Sequence, residues 1–465
     1  VGGGAKEEVG RQHSCSPGPA GTKRVQAECA SLARARVKRL REWADPVGGV
    51  RKLLRREQER LGPASFGRNA SREKFRNLGL QHEYDTHDPK AGQLVLPFLR
   101  TRSRIVEIVA AKDIVFALAH SGVCAAFSRD TNERICFLNI GEDEVIRSLF
   151  YNKNNQSLIT VSVYASDNFS SLRCRTTPVE YIRRGQPDAG FPLFETESLR
   201  WPGFVEFDDV NGKVLTYSAQ HRVYKVFDLT NYTHLYSISD KNVQEIKISP
   251  GIMLLIFDRQ NSHVPLKILS IENGEVLKHF NHMLHRSKKV DFIEQFNEKL
   301  LVKQEKENLQ ILDVRTGSVT EVCRKEFKTP SAFIFLYENQ LFLTFAKRTV
   351  AVWNFRGELV TRFEDHQLWY PDCNTNNIYI TSEQDLIISY CREQSPAGPL
   401  EQSVGTLNVS DIFSGRCLAK VRVTEDCRDQ RLQHALEDVT ALFYDEERNE
   451  IFTGNRQGLV HVWGN

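Results

Sequence analysis

Four side chains near residue 85 are of the types that bind metal ions. They are His82, Asp85, His87 and Asp88. Imidazole nitrogens and carboxylate oxygens are the donors that zinc and related ions take from proteins. The spacing of these four matches no familiar metal motif, and the stretch around them is polar. We therefore interpret them as part of a solvated loop and expect no metal ion.

A second group with possible chemistry is a run of histidines and basic residues. It comprises His279, His282, His285, Arg286, Lys288 and Lys289. On a helical turn, the three histidines would share a face and could bind a metal ion or a phosphate. In a loop that follows an outer strand, they would be a polar connector, which is the interpretation that we adopt.

Catalytic signatures are missing from the rest of the sequence. There is no Gly-x-Ser-x-Gly elbow, no phosphate-binding Gly-rich loop ending in Lys-Ser or Lys-Thr, and no His-Glu-x-x-His. These motifs place a nucleophile, a phosphate cradle or two zinc ligands on one turn. We therefore expect a protein without enzymatic activity, catalytic residues or cofactor.

The 10 cysteines and the apolar segments indicate the compartment. No cysteine lies in a Cys-x-x-Cys pair, and several lie in apolar runs, so we expect reduced thiols of a cytoplasmic or nuclear protein. No run of about 18 uncharged apolar residues could span a membrane. The first residues show no hydrophobic signal core, which argues against secretion.

From about residue 92, short runs rich in Val, Ile, Phe, Tyr and Leu alternate with polar turns, a pattern typical of β-strands. One pattern of strands and turns recurs, and its third strand ends at Phe227, Leu269, Leu312 and Trp353. The intervals are 42, 43 and 41 residues, close to the length of a four-stranded propeller blade. The next interval, to Ser410, is 57 residues and is stretched by a Pro- and Gly-containing loop.

This repeated pattern resembles the WD-repeat, or transducin-like, family. Trp353 and Trp463 occupy the family's tryptophan position, but no Trp-Asp dipeptide follows them, and the Gly-His pair that opens a repeat is absent. Most of the Asp-His-Ser/Thr-Trp hydrogen-bond network of the family is therefore missing. The resemblance implies an all-β propeller over residues 92–465, similar to plant WD-repeat-like proteins.

Counting first strands predicts eight blades. They start near Arg104, Glu144, Gly203, Val243, Lys289, Ser331, Asn376 and Asp438. Seven blades remain an alternative if the irregular second unit is not a separate blade. The last unit has only three strands, so we expect the segment Gly92–Leu99 to close the ring as its outer strand. Pro97 is tolerable on such an edge strand.

The N-terminal part of the chain is strongly basic. Residues 23–76 contain 16 Lys and Arg against 6 Asp and Glu, whereas the whole chain has a net charge of only +3. We expect residues 1–30 to be disordered and residues 31–91 to form a basic extension with helical and linker segments. It could be a docking helix, a nuclear-import signal or an RNA-contacting arm, or merely a solvated extension, which we favour.

Unusual loops are the best candidates for binding, since exposed Trp, Tyr and Arg dominate interface energies. They are residues 164–177, 183–201 and 366–374. The side chains that we select in them are Arg173, Arg175, Arg183, Arg184, Trp201, Trp369 and Tyr370. Alternatively, Trp369 and Tyr370 pack between blades.

Together these features predict a scaffold that binds other proteins as a monomer within a larger complex. A more specific hypothesis is a substrate receptor of a ubiquitin ligase, because Leu312-Asp313-Val314-Arg315 resembles a Trp-Asp-x-Arg blade ending. Alternatively, Asp313 and Arg315 only stabilise a turn. The alternative is an RNA- or ribonucleoprotein-associated factor that uses residues 23–76 to contact phosphates.

Overall fold

The computed structural model describes part of the 465-residue chain. The described residues are 73–88, 95–197, 199–200, 203–218, 220–239, 242–257, 263–283, 288–296, 298–346, 349–363, 368, 377–392, 404–423 and 430–465. Most of the predicted basic extension and the candidates Trp201, Trp369 and Tyr370 lie outside these residues. The predictions of a disordered segment 1–30 and of an RNA-contacting arm therefore remain predictions.

Thirty-two strands are present in the described residues. Strand β1 (Gly79–Asp85) comes first. Blade 1 comprises β2 (Ile105–Ala111), β3 (Ile114–Ala119), β4 (Cys124–Ser128) and β5 (Arg134–Phe137). Blade 2 comprises β6 (Glu144–Asn152), β7 (Ser157–Tyr164), β8 (Arg173–Pro178) and β9 (Phe191–Leu193). Blade 3 comprises β10 (Gly203–Asp208), β11 (Lys213–Ser218), β12 (Val223–Asp228) and β13 (His234–Ile238). Blade 4 comprises β14 (Val243–Ser249), β15 (Ile252–Phe257), β16 (His263–Ser270) and β17 (Val276–Met283).

Blade 5 comprises β18 (Val290–Phe296), β19 (Lys299–Gln304), β20 (Leu309–Asp313) and β21 (Val319–Val322). Blade 6 comprises β22 (Ala332–Leu336), β23 (Leu341–Ala346), β24 (Thr349–Asn354) and β25 (Leu359–Arg362). Blade 7 comprises β26 (Ile378–Ile380), β27 (Leu386–Arg392), β28 (Gly405–Asp411) and β29 (Cys417–Val421). Blade 8 comprises β30 (Val439–Asp445), β31 (Glu450–Asn455) and β32 (Leu459–Gly464), with β1. Within the described ranges, the α-helices are α1 (Val179–Arg183) and α2 (Gln430–Ala435). Short 3-10 turns occupy Pro97–Arg100, Ala165–Asp167 and Pro187–Ala189.

These strands form eight four-stranded antiparallel sheets, the blades of a β-propeller. In blades 1 to 7 the strands follow one another in sequence order, and each predicted start lies within two residues of a first strand. The eight-blade prediction is confirmed. The seven-blade alternative is wrong, because the irregular second unit forms its own sheet of β6, β7, β8 and β9.

The sequence period reflects the same place in successive blades. Phe227, Leu269, Leu312 and Trp353 all lie near the end of a third strand and pair with the start of the preceding second strand. Alternate residues of these strands face the neighbouring blades, where buried Leu, Ile, Val and Phe side chains pack. Two third-strand tryptophans also satisfy their indole N–H groups: Trp353 donates to Thr344 Oγ1 at 3.0 Å, and Trp463 donates to Thr453 Oγ1 at 2.9 Å.

The ring closes through β1, which pairs antiparallel with β32 from Gly79–Gly464 to Asp85–Leu459. The prediction that Gly92–Leu99 supplies this strand is wrong. Pro97 instead starts a 3-10 turn, which its fixed φ favours. The closing strand therefore lies within the segment that the sequence assigned to the basic extension.

First strands of neighbouring blades lie closest to one another. Thr440 Oγ1 on β30 donates to the Ile105 carbonyl oxygen on β2 at 2.6 Å, and Lys247 Nζ on β14 donates to Glu294 Oε1 on β18 at 3.0 Å. First strands therefore surround the propeller axis. The connections between strands alternate between the two ends of each antiparallel sheet. First-to-second and third-to-fourth connections form what we call the turn face, and the others form the loop face.

A partly buried carboxyl group on a first strand makes stability depend on pH. Glu107 on β2 accepts a hydrogen bond from the Leu149 backbone N–H at 3.2 Å, and burial raises its pKa from 4.5 to about 7. Between these values the unfolded chain has released a proton that the folded chain retains, so stability falls as pH rises through this window. We expect Glu107→Gln, which keeps an acceptor oxygen, to raise the free energy of unfolding by roughly 2 kcal/mol at pH 8 and to change it little at pH 4.

Urea unfolding at the two pH values measures this difference. Glu195→Gln is the control, because Glu195 is exposed at a turn and its removal should not make stability depend differently on pH. An equal effect of Glu107→Gln at pH 4 and pH 8 would show that packing, rather than ionisation, sets the contribution of this side chain.

Candidate functional site

The loop face carries a pocket of about 290 Å³ where blades 2 and 3 meet. Val163, Leu172 and Leu199 give it apolar walls, and Arg147 and Phe169 lie at its edge. Its residues come from β6, β7, the connection between β7 and β8, and the connection from blade 2 to blade 3. Gly203 of β10 also lines it, so two blades build the pocket together with two of the loops that the sequence analysis selected, 164–177 and 183–201.

The loop between β7 and β8 holds Phe169 in a constrained position. Asn168 and Phe169 have φ angles of 55° and 56°, in the left-handed region that a bulky side chain rarely adopts. The Phe169 N–H donates to the Tyr164 carbonyl oxygen at 2.9 Å, and the Ser166 N–H donates to Asp143 Oδ2 at 2.7 Å. Despite these restraints the Phe169 side chain is 41% exposed. Backbone strain of this kind is concentrated at functional sites.

Arg147 supplies the charge of the pocket. It lies on β6, the first strand of blade 2, and is exposed. In the described part of the chain its side chain forms no hydrogen bond or ion pair, unlike most arginines discussed below. A free guanidinium beside an aromatic ring and apolar walls suits a ligand with an anionic group next to an apolar one. The sequence analysis missed Arg147, because a single arginine in a strand pattern carries no signal of its own.

Arg173 and Arg175 lie on β8 and not in a loop. The Arg173 guanidinium lies 4.6 Å from the centre of the Tyr164 ring and forms an ion pair with Asp167 at 3.5 Å. Arg175 donates to the carbonyl oxygens of Pro187 and Leu138 at 2.7 and 2.8 Å. Arg173 thus supports the loop of Phe169, and Arg175 joins blade 2 to the end of blade 1.

Arg183 and Arg184 lie at the end of α1, on the turn face. Arg183 forms ion pairs with Asp113 of blade 1 and with Glu180, and Arg184 also pairs with Glu180 at 3.0 Å. The Arg183–Asp113 hydrogen bonds lower the pKa of Asp113, despite an opposing contribution from burial. These contacts attach the blade 2 insertion to blade 1.

Asp313 and Arg315 also lie on the turn face, in blade 5. Asp313 Oδ1 accepts the N–H groups of Arg315 and Thr316, both at 2.9 Å, and the Asp313 carboxylate pairs with Lys299. The hydrogen bonds from Lys299 and Thr316 hold the pKa of Asp313 below its ordinary value. Arg315 pairs with Glu298. Both side chains therefore serve the turn, and the structure separates them from the pocket on the loop face.

The side chains that the sequence selected for possible metal chemistry have other partners. Asp85 pairs with Arg102 and Asp88 pairs with Arg134, both at 2.5 Å. His279 is exposed on β17, an outer strand, so the expected connector and the alternative helical turn are both wrong at this position. His285 lies outside the described residues. Within the described residues, the group that could hold a metal ion is Glu83, His434 and His461.

Among the described residues, no helix has the length and hydropathy needed to cross a bilayer. The six cysteines among the described residues are free thiols. They are Cys124, Cys136, Cys174, Cys323, Cys391 and Cys417. Burial raises the pKa of Cys174 and Cys391 to about 12, so these two thiols are unreactive.

Both a protein family and solved structures are similar to this chain. No curated protein matches it. The crystal structure of the computationally designed Ika8 protein is similar, with 17% identity, a TM-score of 0.47, and coverage of 78% of this chain and 97% of that chain. The crystal structure of BamB from Moraxella catarrhalis has 12% identity, a TM-score of 0.42, and coverage of 83% and 98%. Residues 63–463 match the family described as a domain of unknown function, DUF7899, and the chain therefore belongs to that family.

Proposed function

We propose that this protein is a non-enzymatic scaffold that binds protein partners on its loop face and anchors them at the pocket of Arg147 and Phe169. The observation that carries the proposal is the unpaired Arg147 beside a Phe169 that the loop holds exposed in a left-handed conformation. A partner segment that fits this pocket has an apolar side chain next to a carboxylate. An aromatic residue and an arginine are the types most often found as interface hot spots.

The placement of long connections supports the choice of face. The strands that flank the long intervals 86–104, 194–202, 363–377, 393–404 and 422–438 end and begin at the loop face. Most turn-face connections span only two to six residues, and the long exception is the α1 insertion of blade 2. Binding residues concentrate on loops held by a rigid scaffold.

A WD-repeat relationship is part of this proposal. The Trp353–Thr344 and Trp463–Thr453 hydrogen bonds resemble the Ser/Thr–Trp part of the WD-repeat network. They support the resemblance in two of the eight blades. The proposal places the protein in the cytoplasm or nucleus, where free thiols persist.

The sharper ligase-receptor hypothesis gains no support from the side chains that suggested it. Asp313 and Arg315 are engaged in the turn of blade 5 and in the pair with Glu298, as the simpler interpretation of that sequence expected. The alternative function, RNA binding by residues 23–76, depends on residues that are mostly outside the described ones.

Partner capture with single substitutions tests the proposal. We expect Phe169→Asn and Arg147→Glu each to weaken the binding of stoichiometric protein partners at least tenfold, since asparagine tolerates the left-handed backbone and the fold is kept. Matched controls are Phe413→Asn and Arg356→Glu, both exposed on the turn face. Quantitative mass spectrometry of material co-purified with the full chain measures the binding.

Removal of residues 1–72 separates the two functions. The cut must precede Phe75, which is 2% exposed and packs against Tyr444. We expect the shortened protein to keep its partners. Loss of all partners on this deletion, or partners that survive both pocket substitutions, would contradict the proposal. A salt-sensitive association with RNA that disappears on the deletion would favour the alternative.

A further inference from the structure

Ring closure brings together three side chains that are far apart in the sequence. Glu83 lies on the closing strand β1, His434 on helix α2 and His461 on the last strand, β32. One potential ligand atom from each lies within 4.8 Å of the others. Glu83 is exposed, His434 is half-buried and His461 is fully buried, so the group is open to solvent on the Glu83 side.

The central member of this group is His461. It lies opposite Glu83 in the β1–β32 register, and its Nε2 atom is 3.1 Å from Glu83 Oε2. The other ring nitrogen, Nδ1, is buried and has no hydrogen-bond partner within the described residues. The contact of Nε2 with Glu83 is therefore the polar contact of this ring within the described residues, and Nε2 is the nitrogen that faces the other two side chains of the group.

His434 completes the donor set from the third element. Its Nε2 atom is 2.8 Å from Gln457 Oε1, and its ring centre is 6.3 Å from that of His461 in an edge-to-face arrangement. Gln457 therefore offers a further oxygen at the same place. In a tetrahedral zinc site with bonds of about 2.0–2.1 Å, neighbouring ligand atoms are about 3.3 Å apart. The Glu83–His461 distance of 3.1 Å is close to this value. The ligand atoms of the group lie within 4.8 Å of one another, so the half-buried His434 moves closer to the other two when it supplies the third bond.

The charge of the donor set suits a cation. Glu83 places a carboxylate oxygen 3.1 Å from His461 Nε2. A neutral imidazole is the form that coordinates metal ions, and the carboxylate supplies the compensating charge.

We propose that Glu83, His434 and His461 bind a single divalent transition-metal ion of the zinc class. Two imidazoles and one carboxylate are a donor set suited to zinc, whereas magnesium and calcium prefer oxygen donors only. The ion ties the closing strand to the last strand and to α2. Metal binding therefore stabilises the closed ring, since the unfolded chain does not hold these ligands together.

Zinc titration of the tag-free full chain tests the site. We expect one Zn²⁺ per chain in competition with a chromophoric chelator, and a higher unfolding temperature in the presence of Zn²⁺. His434→Ala and Glu83→Gln should each weaken zinc binding at least tenfold and remove the zinc-dependent rise. Both residues are partly exposed, so both variants should fold; a Co²⁺ absorption spectrum of each variant reports on the ligand set without unfolding the protein.

His234→Ala is the matched control. His234 is an exposed histidine on β13 that lies 2.9 Å from Ser237 Oγ, so its loss also breaks one hydrogen bond. We expect this variant to bind zinc as the unaltered chain does. Zinc binding that is equal in all three variants would assign the metal to scattered surface histidines and overturn the proposal, as would a chain that binds no zinc.

Discussion

Arg129→Ala should lower the free energy of unfolding by about 3–5 kcal/mol, the range for breaking a buried ion pair. Arg129 Nε donates to Glu450 Oε2 at 2.9 Å, and the two side chains are only 7% and 16% exposed. Arg129 also donates to the Tyr84 hydroxyl oxygen at 2.7 Å. This network joins blade 1, blade 8 and the closing strand, so the substitution would leave the Glu450 carboxylate buried without its partner.

Chemical denaturation measures this loss, and two further variants assign its cause. Arg315→Ala removes an arginine whose ion pair with Glu298 is exposed, so we expect a loss below about 1 kcal/mol. The double variant Arg129→Leu/Glu450→Leu removes both buried charges and should recover much of the stability. A loss for Arg129→Ala no larger than that for Arg315→Ala would show that the network does not stabilise ring closure.

A chain that starts at residue 87 should fail to unfold cooperatively, whereas a chain that starts at residue 63 should behave as the full chain does. The first lacks β1, which leaves the edge of β32 unpaired and exposes the side chains that Tyr84 covers. Tyr84 is 3% exposed and stacks on Phe127 at 4.8 Å. Losing a whole strand removes more than the few kcal/mol that separate most folded domains from unfolding.

Thermal unfolding and size-exclusion chromatography distinguish the two chains. The start at residue 63 coincides with the start of the family match. Adding a synthetic peptide of residues 73–88 to the shorter chain should restore part of the cooperative transition, because the peptide can supply the missing strand. If the chain from residue 87 melts as the full chain does, closure by β1 is refuted, and the segment Gly92–Leu99 becomes the candidate for the closing strand again.

Part of the candidate site could be predicted from the sequence. The loop 164–177, which contains Phe169, was selected because unusual connections between strands lie on the surface and often bind partners. Arg147 could not be predicted, because its exposure depends on how blades 2 and 3 meet. The arginines selected for binding are mostly held by partners that are distant in sequence; Arg183, for example, pairs with Asp113 of the preceding blade.

The possible metal ligands near residue 85 also show what the sequence can and cannot predict. The sequence drew attention to His82 and its neighbours because they are adjacent in the chain, yet Asp85 and Asp88 are engaged by arginines. Glu83, which lies among them, meets its imidazole partners only through pairing with β32. The interpretation of this stretch as a loop is wrong for His82 and Asp85, which lie on β1. Spacing along the chain drew attention to the stretch but could identify neither the strand nor the group of ligands.

Blade number, strand order and the first strand of each blade follow from the sequence alone. Each blade is a series of antiparallel hairpins between consecutive strands, so the local alternation of apolar and polar residues and the turn residues specify it. The repeat of about 42 residues then gives the number of blades. Ring closure, the pocket of Arg147 and Phe169, and the Glu83–His434–His461 group were decided by tertiary structure. They join residues from different blades or from opposite ends of the chain, and the strand pattern of a closing segment does not state which distant edge it will pair with.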